Sequence, residues 1–311
     1  MKIHAMSSKL KLHRLISTAC VLSLLAGCYG IQGEQGTVVE LDPVAILPIE
    51  SAIAIEPSGL CLKEGELYSV SDDTDDMIFK IVRDGESATF EPHIQFAKPE
   101  GAADAFLDLE GIISGPGDSF YLLSESFARV LQVFGDGRSE WVTPTVQAEG
   151  EDAGLFKVHN GGLEGMTLLD DDHFFFLAER QPRGWIELLD NTVVGAEKMP
   201  KTRFYGDLTL TRIPDFTGAD FHDDRLYVLF RNGEMVTTLV RTQSGWTEGV
   251  VSWSFTEILA DDRWGYRDTL YGMAEGLAVD AEYFYVVLDN NQSPRRYSKA
   301  DTRPLLLILR R

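Results

Sequence analysis

The sequence predicts an all-β fold, and three observations predict it. A hairpin-like stretch recurs five times along the chain. After each recurrence come further short runs rich in Val, Ile, Leu, Phe and Tyr, bounded by turn residues. The last recurrence stops one run short, while a strand-like segment with no partner of its own precedes the first. Helical repeats would need a period of roughly 3.6 residues held over about ten positions, and these β-branched and aromatic runs are too short for that.

In chain order, the first element is an address. Lys2, Lys9, Lys11 and Arg14 precede the apolar stretch from Leu15 to Gly27, which is too short to anchor across a bilayer, so residues 1–27 are expected to be a secretion signal. The stretch closes on Leu25, Ala26, Gly27 and Cys28, which resembles the bacterial lipobox. That resemblance implies cleavage before Cys28 and lipidation of its thiol; a cut just beyond Ala26, giving a soluble secreted protein, is the alternative. Tyr29 stands where an inner-membrane retention signal would carry aspartate, so the expected place is the outer membrane, facing the periplasm. Residues 28–36 read as a tether, and 37–311 as one domain.

The repeats follow. Lined up on one glycine they read "EPSGLCLKEGELYSVSDD" at Gly59, "DLEGIISGPGDSFYLLSES" at Gly111, "GLEGMTLLDDDHFFFLAER" at Gly165, "DFTGADFHDDRLYVLFRN" at Gly218 and "MAEGLAVDAEYFYVVLDNN" at Gly276, at spacings of 52, 54, 53 and 58 residues. Each is a short apolar run, a turn rich in Asp, Gly or Glu, and a second run heavy in Phe, Tyr, Val and Leu, the signature of a hairpin. Third runs follow at "DMIFKIV", "ARVLQVF", "GWIELLD", "MVTTLVR" and "RPLLLIL", and fourth runs at "TFEPHIQF", "SEWVTPTV", "TRFYGDLTL" and "GVVSWSF". Four antiparallel strands at this period make the blade of a β-propeller, and five copies make five blades. The segment "GTVVELDPVAILP" from Gly36 to Pro48 supplies the strand the last blade lacks, so an N-terminal strand closes the ring. A sixth blade would have to come from Arg180–Thr209, the one stretch long enough to suggest it.

In such a blade the first strand lines the axial channel and the second runs back beside it, so the residue before each glycine lies near the residue that ends the second run. The first set is Ser58, Glu110, Glu164, Thr217 and Glu275; the second is Asp72, Glu125, Glu179, Arg231 and Asp289. Seven carboxylates and one arginine would therefore ring one channel mouth. Converging carboxylates repel unless protonated, solvated or bridged by a cation, and calcium, with its irregular shell of oxygen ligands, suits such a funnel better than magnesium. Asn160, Asn290 and Asn291 could add amide oxygens. The plainer alternative is that the glycines relieve crowding at the axis and the acids are solvated turn residues. Arg231 is either a counter-ion to Asp72 or Glu179 or the receiver of an anionic ligand, with Arg180 and Arg183 close enough in sequence to help.

The rest narrows the chemistry. The formal net charge is −21, and loss of residues 1–27 with their four basic and no acidic side chains takes it to −25. Such a surface repels nucleic acid. Cys61, in the apolar "SGLCL", is expected to be an inert buried thiol, and no internal disulfide is expected. The sequence lacks G-x-S-x-G, H-E-x-x-H, C-x-x-C and a complete EF-hand loop, although "SDDTDD" from Ser71 to Asp76 is a dense acidic turn. His93, His159, His173 and His222 are scattered; His173 and His222 fall at hairpin turns and read as solvated, and His159 alone could approach the ring as an acid or base.

At "PSGL", "DLEG", "HNGGLEGM", "AEGLAV" and "LDNN" the sequence resembles a bacterial propeller group that includes the phytase-like family, labelled "esterase-like activity of phytase", and the SdiA-regulated family, over residues 50–310. The resemblance implies exported β-propellers with an acidic calcium site. It matches Glu110, Glu164 and Glu275 to the acidic position of the E-G motif, Ser58 and Thr217 to blades with a small hydroxyl there, and Asp289 with Asn290 to the end of the last hairpin. Arg231 departs from the acidic residue the group carries, and the Asp-rich and basic phosphate-binding sets of the calcium-dependent propeller phytases are absent.

Three functions fit. A lipid-anchored monomeric propeller could bind a small-molecule or protein ligand at a calcium-loaded mouth, through Ser58, Thr217, Arg231, Arg180, Asn160 and Asn290. It could hydrolyse phosphoesters or esters with calcium, with Glu164, His159 and Arg231 as the catalytic candidates. Or it could be a scaffold in envelope assembly. The scarcity of nucleophiles and basic residues favours the first.

Overall fold

The computed structural model describes residues 36–199, 202, 215–267, 269 and 272–311; the signal, Cys28 and most of the tether lie outside them. Two strands come first, β1 (Thr37–Glu40) and β2 (Pro43–Glu50). The repeats then supply β3 (Pro57–Lys63), β4 (Glu66–Ser71), β5 (Met77–Asp84) and β6 (Ser87–Gln95), followed by β7 (Leu109–Ser114), β8 (Phe120–Ser124), β9 (Arg129–Val133) and β10 (Ser139–Trp141). After the short helix α1 (Gln147–Asp152) come β11 (Leu163–Asp170), β12 (His173–Ala178), β13 (Gly184–Leu189) and β14 (Thr192–Lys198). Next are β15 (Ala219–His222), β16 (Arg225–Phe230), β17 (Met235–Thr242) and β18 (Gly245–Ser254), then α2 (Thr256–Ala260), β19 (Ala274–Val279), β20 (Tyr283–Leu288) and β21 (Leu305–Arg310).

The chain is an all-β propeller. Within each repeat the strands pair antiparallel in sequence order. Tight turns are possible because residues tolerant of the left-handed region stand at them: Asp190 and Asn191 between β13 and β14, Asp223 and Asp224 between β15 and β16, all at φ of 49–60°. The second strand of each repeat is buried along nearly its whole length. This is why its run is almost continuously apolar, as in "HFFFLA" and "YFYVVL". The core is accordingly a series of apolar layers between sheets, such as Val70, Phe120, Leu122 and Leu131 in one gap and Leu123, Met166, Phe174 and Phe176 in the next.

The inner strands β3, β7, β11, β15 and β19 lie side by side in that order, and β19 returns to β3. The repeated glycine makes this approach possible. A Cβ on Gly59 would come within 3.0 Å of the Gly111 Cα, and one on Gly276 within 2.7 Å of the Gly59 carbonyl carbon, so each glycine faces the next inner strand around the axis.

Closure differs from the sequence expectation in one respect. The segment Gly36–Pro48 is two strands rather than one. β2 pairs antiparallel with β21 and completes the last sheet, while its far end, Ile49 and Glu50, meets Ala88 and Thr89 of β6 in parallel, so the first and last repeats share one eight-stranded sheet. β1 instead runs parallel to β18 and widens the sheet of the fourth repeat to five strands. Among the described residues the outer strand of the third repeat is β14, "TVVGAEK"; the expected run "TRFYGDLTL" lies outside them apart from Thr202. β14 holds Gly195 and is largely exposed or half-buried, so its sequence lacks the apolar density that marks the inner runs.

Candidate functional site

The acidic residue before the glycine owes its position to a bulge. In β3, β7, β11 and β19 the register slips at the same point, between Pro57 and Gly59, Leu109 and Gly111, Leu163 and Gly165, and Ala274 and Gly276. Ser58, Glu110, Glu164 and Glu275 are the extra residues, unpaired across the ladder. A bulge re-aims its side chain out of the alternation of the strand, and the same irregularity repeated about the axis aims these side chains at one end of the channel. The partner set, Asp72, Glu125, Glu179, Arg231 and Asp289, follows directly on the last residue of β4, β8, β12, β16 and β20. In three repeats a backbone bond ties this position to the chain just ahead of the bulge: Glu125 donates to the Asp108 carbonyl (2.8 Å), Glu179 to Gly162 (3.0 Å) and Asp289 to Met273 (2.7 Å).

The carboxylates act on one another. Burial raises Glu110 well above the ordinary carboxylate range, and Glu164, Asp72, Glu125 and Glu275 raise it further. Burial likewise raises Glu164 and Glu275 against the opposing pull of Arg231. Asp72 is pushed up to about 7 by burial and by Asp73 and Glu56. Glu125 is pushed up to about 7 by burial and Asp108, although it accepts the Gly162 N–H at 2.7 Å. Asp289 is pushed up to about 8, again by burial first, while the Asn291 backbone and side-chain N–H groups both donate to it. The mouth thus holds more negative charge than its own cations neutralise.

Arg231 is surrounded by acids. Its Nε donates to Asp215 Oδ2 at 2.8 Å, its Nη1 to Glu275 Oε1 at 2.7 Å and its Nη2 to Glu179 Oε1. Asp215 also accepts the Asn232 N–H at 2.9 Å. Arg180 pairs with Glu179 and donates to the Asn160 carbonyl at 2.7 Å.

Several expected ligand positions have other work. The Ser58 hydroxyl donates to the Leu109 carbonyl, and Thr217 Oγ1 to that of Ala274 at 2.9 Å, so both hydroxyls bind one inner strand to the next. Asn290 gives its amide nitrogen to the Ser293 and Thr302 carbonyls, at 2.7 and 2.8 Å, which fastens the loop before β21. Arg183 stands apart, 1% exposed, paired with Glu248 and lying over Phe216. His159 and Asn160 are exposed. His173 is not solvated as its turn position suggested: its Nε2 meets Glu187 Oε1 at 2.7 Å, beside Arg241 and Trp246. Cys61 is buried, and burial pushes its thiol upward.

Four acidic residues of the site were not named as ligands from the sequence: Glu56, Asp108, Asp215 and Asp73, the last noted only within the acidic turn Ser71–Asp76. Three of them stand three residues before the repeat glycine, at Gly59, Gly111 and Gly218, a recurrence that aligning the copies on that glycine exposes. The donor oxygens of Asp108, Glu110 and Glu125 lie within 4.8 Å of one another, as do those of Glu56, Asp72 and Asp73. Two oxygens on one calcium ion, each about 2.3–2.6 Å from it, are at most about 5.2 Å apart, so either group fits a hard cation.

A family profile described as phytase-like, esterase-like activity of phytase, matches residues 51–292. No curated protein sequence matches the chain. Among solved structures it is similar to a PQQ-bound aldose sugar dehydrogenase of Streptomyces coelicolor, at 11% identity and a TM-score of 0.48, over 90% of this chain and 99% of that one. It is also similar to a virginiamycin B lyase of Staphylococcus aureus, at 11% identity and a TM-score of 0.40, over 81% of this chain and 66% of that one.

Proposed function

Because the chain belongs to the phytase-like family of esterase-like activity, we propose that its acidic mouth binds calcium and through it receives an anionic or ester-bearing ligand. The observation that carries this reading is the Asp108, Glu110 and Glu125 group, whose oxygens lie within 4.8 Å of one another. The fold holds these residues in place before any ion arrives. The β7 bulge presents Glu110, the Gly162 N–H orients Glu125, and Asp108 sits at φ 55° with its carbonyl bonded to the Glu125 N–H. A bound calcium would supply a positive centre for the ligand's oxygens.

In this reading the eight-stranded sheet is two blades fused edge to edge, which makes five blades in all. Lipidation at Cys28 would hold the propeller at the outer membrane, facing the periplasm.

A second reading, hydrolysis of the bound ester, is favoured by the family's description. Glu164, 8% exposed and carried in the β11 bulge at the mouth, would then be the residue placed to accept a proton from water.

Both readings are tested on the full chain in detergent. Calorimetric titration with calcium and magnesium should show calcium-selective binding that Glu110→Gln weakens at least tenfold, together with a calcium-dependent rise in Tm. Turnover of phosphomonoesters or carboxylic esters in calcium, lost in Glu164→Gln, would select the hydrolase. Absence of binding to either ion would end the calcium reading.

A further inference from the structure

The residue after the second strand is a carboxylate at Asp72, Glu125, Glu179 and Asp289, and an arginine only at position 231. Its three guanidinium nitrogens contact three different carboxylates, from three different segments: Glu179 after β12, Asp215 ahead of β15 and Glu275 in the β19 bulge. All the groups concerned are removed from solvent, with side-chain exposures of 1% for Glu179, 0% for Asp215, 13% for Glu275 and 9% for Arg231. A cation held among carboxylate oxygens contributed by separate segments is the arrangement a hard metal ion would otherwise occupy.

We propose that Arg231 is a built-in cation that fills one sector of the mouth and confines metal binding to the opposite sector, so that it sets how many cations the propeller takes up. The inference rests on the calcium reading above. A second observation supports it: Glu179 Oε2 is buried without a hydrogen-bond partner among the described residues, an oxygen that the guanidinium leaves unused. The Asp108, Glu110 and Glu125 group lies among residues of the second repeat, outside the set Arg231 contacts. Arg231 is here a positioning residue. It touches no ligand, and it excludes a second ion by occupying that ion's place.

The test is calcium titration of the full chain by calorimetry, with Tm in chelator as the second readout, for wild type, Arg231→Lys and Arg231→Met. Arg231→Met should bind one more calcium than wild type, and its Tm should fall in chelator and recover in calcium. Arg231→Lys keeps the charge and should bind the wild-type number. If Arg231→Met binds no additional ion, the inference fails while calcium binding by wild type still stands. If wild type binds no calcium, the calcium reading fails and the inference, which rests on it, fails with it. Should Arg231→Met not fold in either condition, the triple variant Arg231→Met, Glu179→Gln, Glu275→Gln decides: folding without calcium at the wild-type stoichiometry supports the charge role. Failure of the triple variant to fold would make Arg231 a packing residue and overturn the proposal.

Discussion

Alanine at Gly276 should open the ring where its last inner strand meets its first. A Cβ there would lie 2.7 Å from the Gly59 carbonyl carbon, the Leu60 backbone nitrogen and the Leu60 Cβ. Carbon atoms in contact sit about 3.5–4.0 Å apart, so each distance is short by roughly 1 Å. Two of the three obstacles are backbone atoms of β3, which is flanked by β4 and β7, and no change of rotamer relieves them. Overpacking costs about 1–3 kcal/mol when side chains can shift; with backbone in the way we expect about 3 kcal/mol or more. For a chain of this size that is a fall of about 6–12 °C in Tm. Gly111→Ala is the control. Its Cβ would meet the Leu123 Cβ and the flexible Met166 Cγ, both at 3.3 Å, and the loss should stay below about 1 kcal/mol. Scanning calorimetry of both variants in chelator separates the two. Equal losses, or a wild-type Tm for Gly276→Ala, would refute the view that the repeated glycine exists to let inner strands close on one another.

Two further outcomes follow from the charges. Asp72 and Glu125 at about 7 and Asp289 at about 8 hold protons more tightly than the unfolded chain does. The native state therefore keeps protons the unfolded state has released, and stability declines as pH rises from the ordinary carboxylate range toward those values. Tm in chelator should fall between about pH 5 and pH 8 and calcium should flatten the profile; a Tm that climbs over that interval would contradict the uncompensated charge. Arg183→Met strands the buried Glu248 and should cost about 3–5 kcal/mol in denaturant unfolding, most of it recovered by adding Glu248→Gln. A loss below about 1 kcal/mol would show the pair to be solvated.

The inner half of the propeller was legible because its constraints repeat. The glycine every fifty-odd residues, the apolar second run and the acid on either side of it all answer to one local geometry, and a recurring geometry leaves a recurring pattern. The outer half was legible only in part, since strands such as β14 face solvent and need no apolar alternation. The split between β1 and β2 was hidden for another reason: both halves have strand composition, and only tertiary pairing sends Thr37–Glu40 to β18 and Pro43–Glu50 to β21. At the mouth, Glu110 and Glu164 could be placed from the motif. The roles of Ser58 and Thr217 could not, because a hydroxyl just before the repeat glycine looks the same in sequence whether it faces a ligand or the next strand's carbonyl. Asp215 and Asp108 stand in loops ahead of the inner strands, outside the apolar runs, and their recurrence with Glu56 shows only when the copies are aligned on the repeat glycine.

The clasp made by β2 also sets a timetable. Its partner β21 is made more than 250 residues later, so during synthesis β2 has no antiparallel neighbour until nearly the whole of the domain has been translated. The repeats can zip into hairpins as they emerge, each being local, but the circle is joined only after Leu305–Arg310 arrives. Nothing made early can lock the circle, and the six-residue strand Leu305–Arg310 is the piece that joins it.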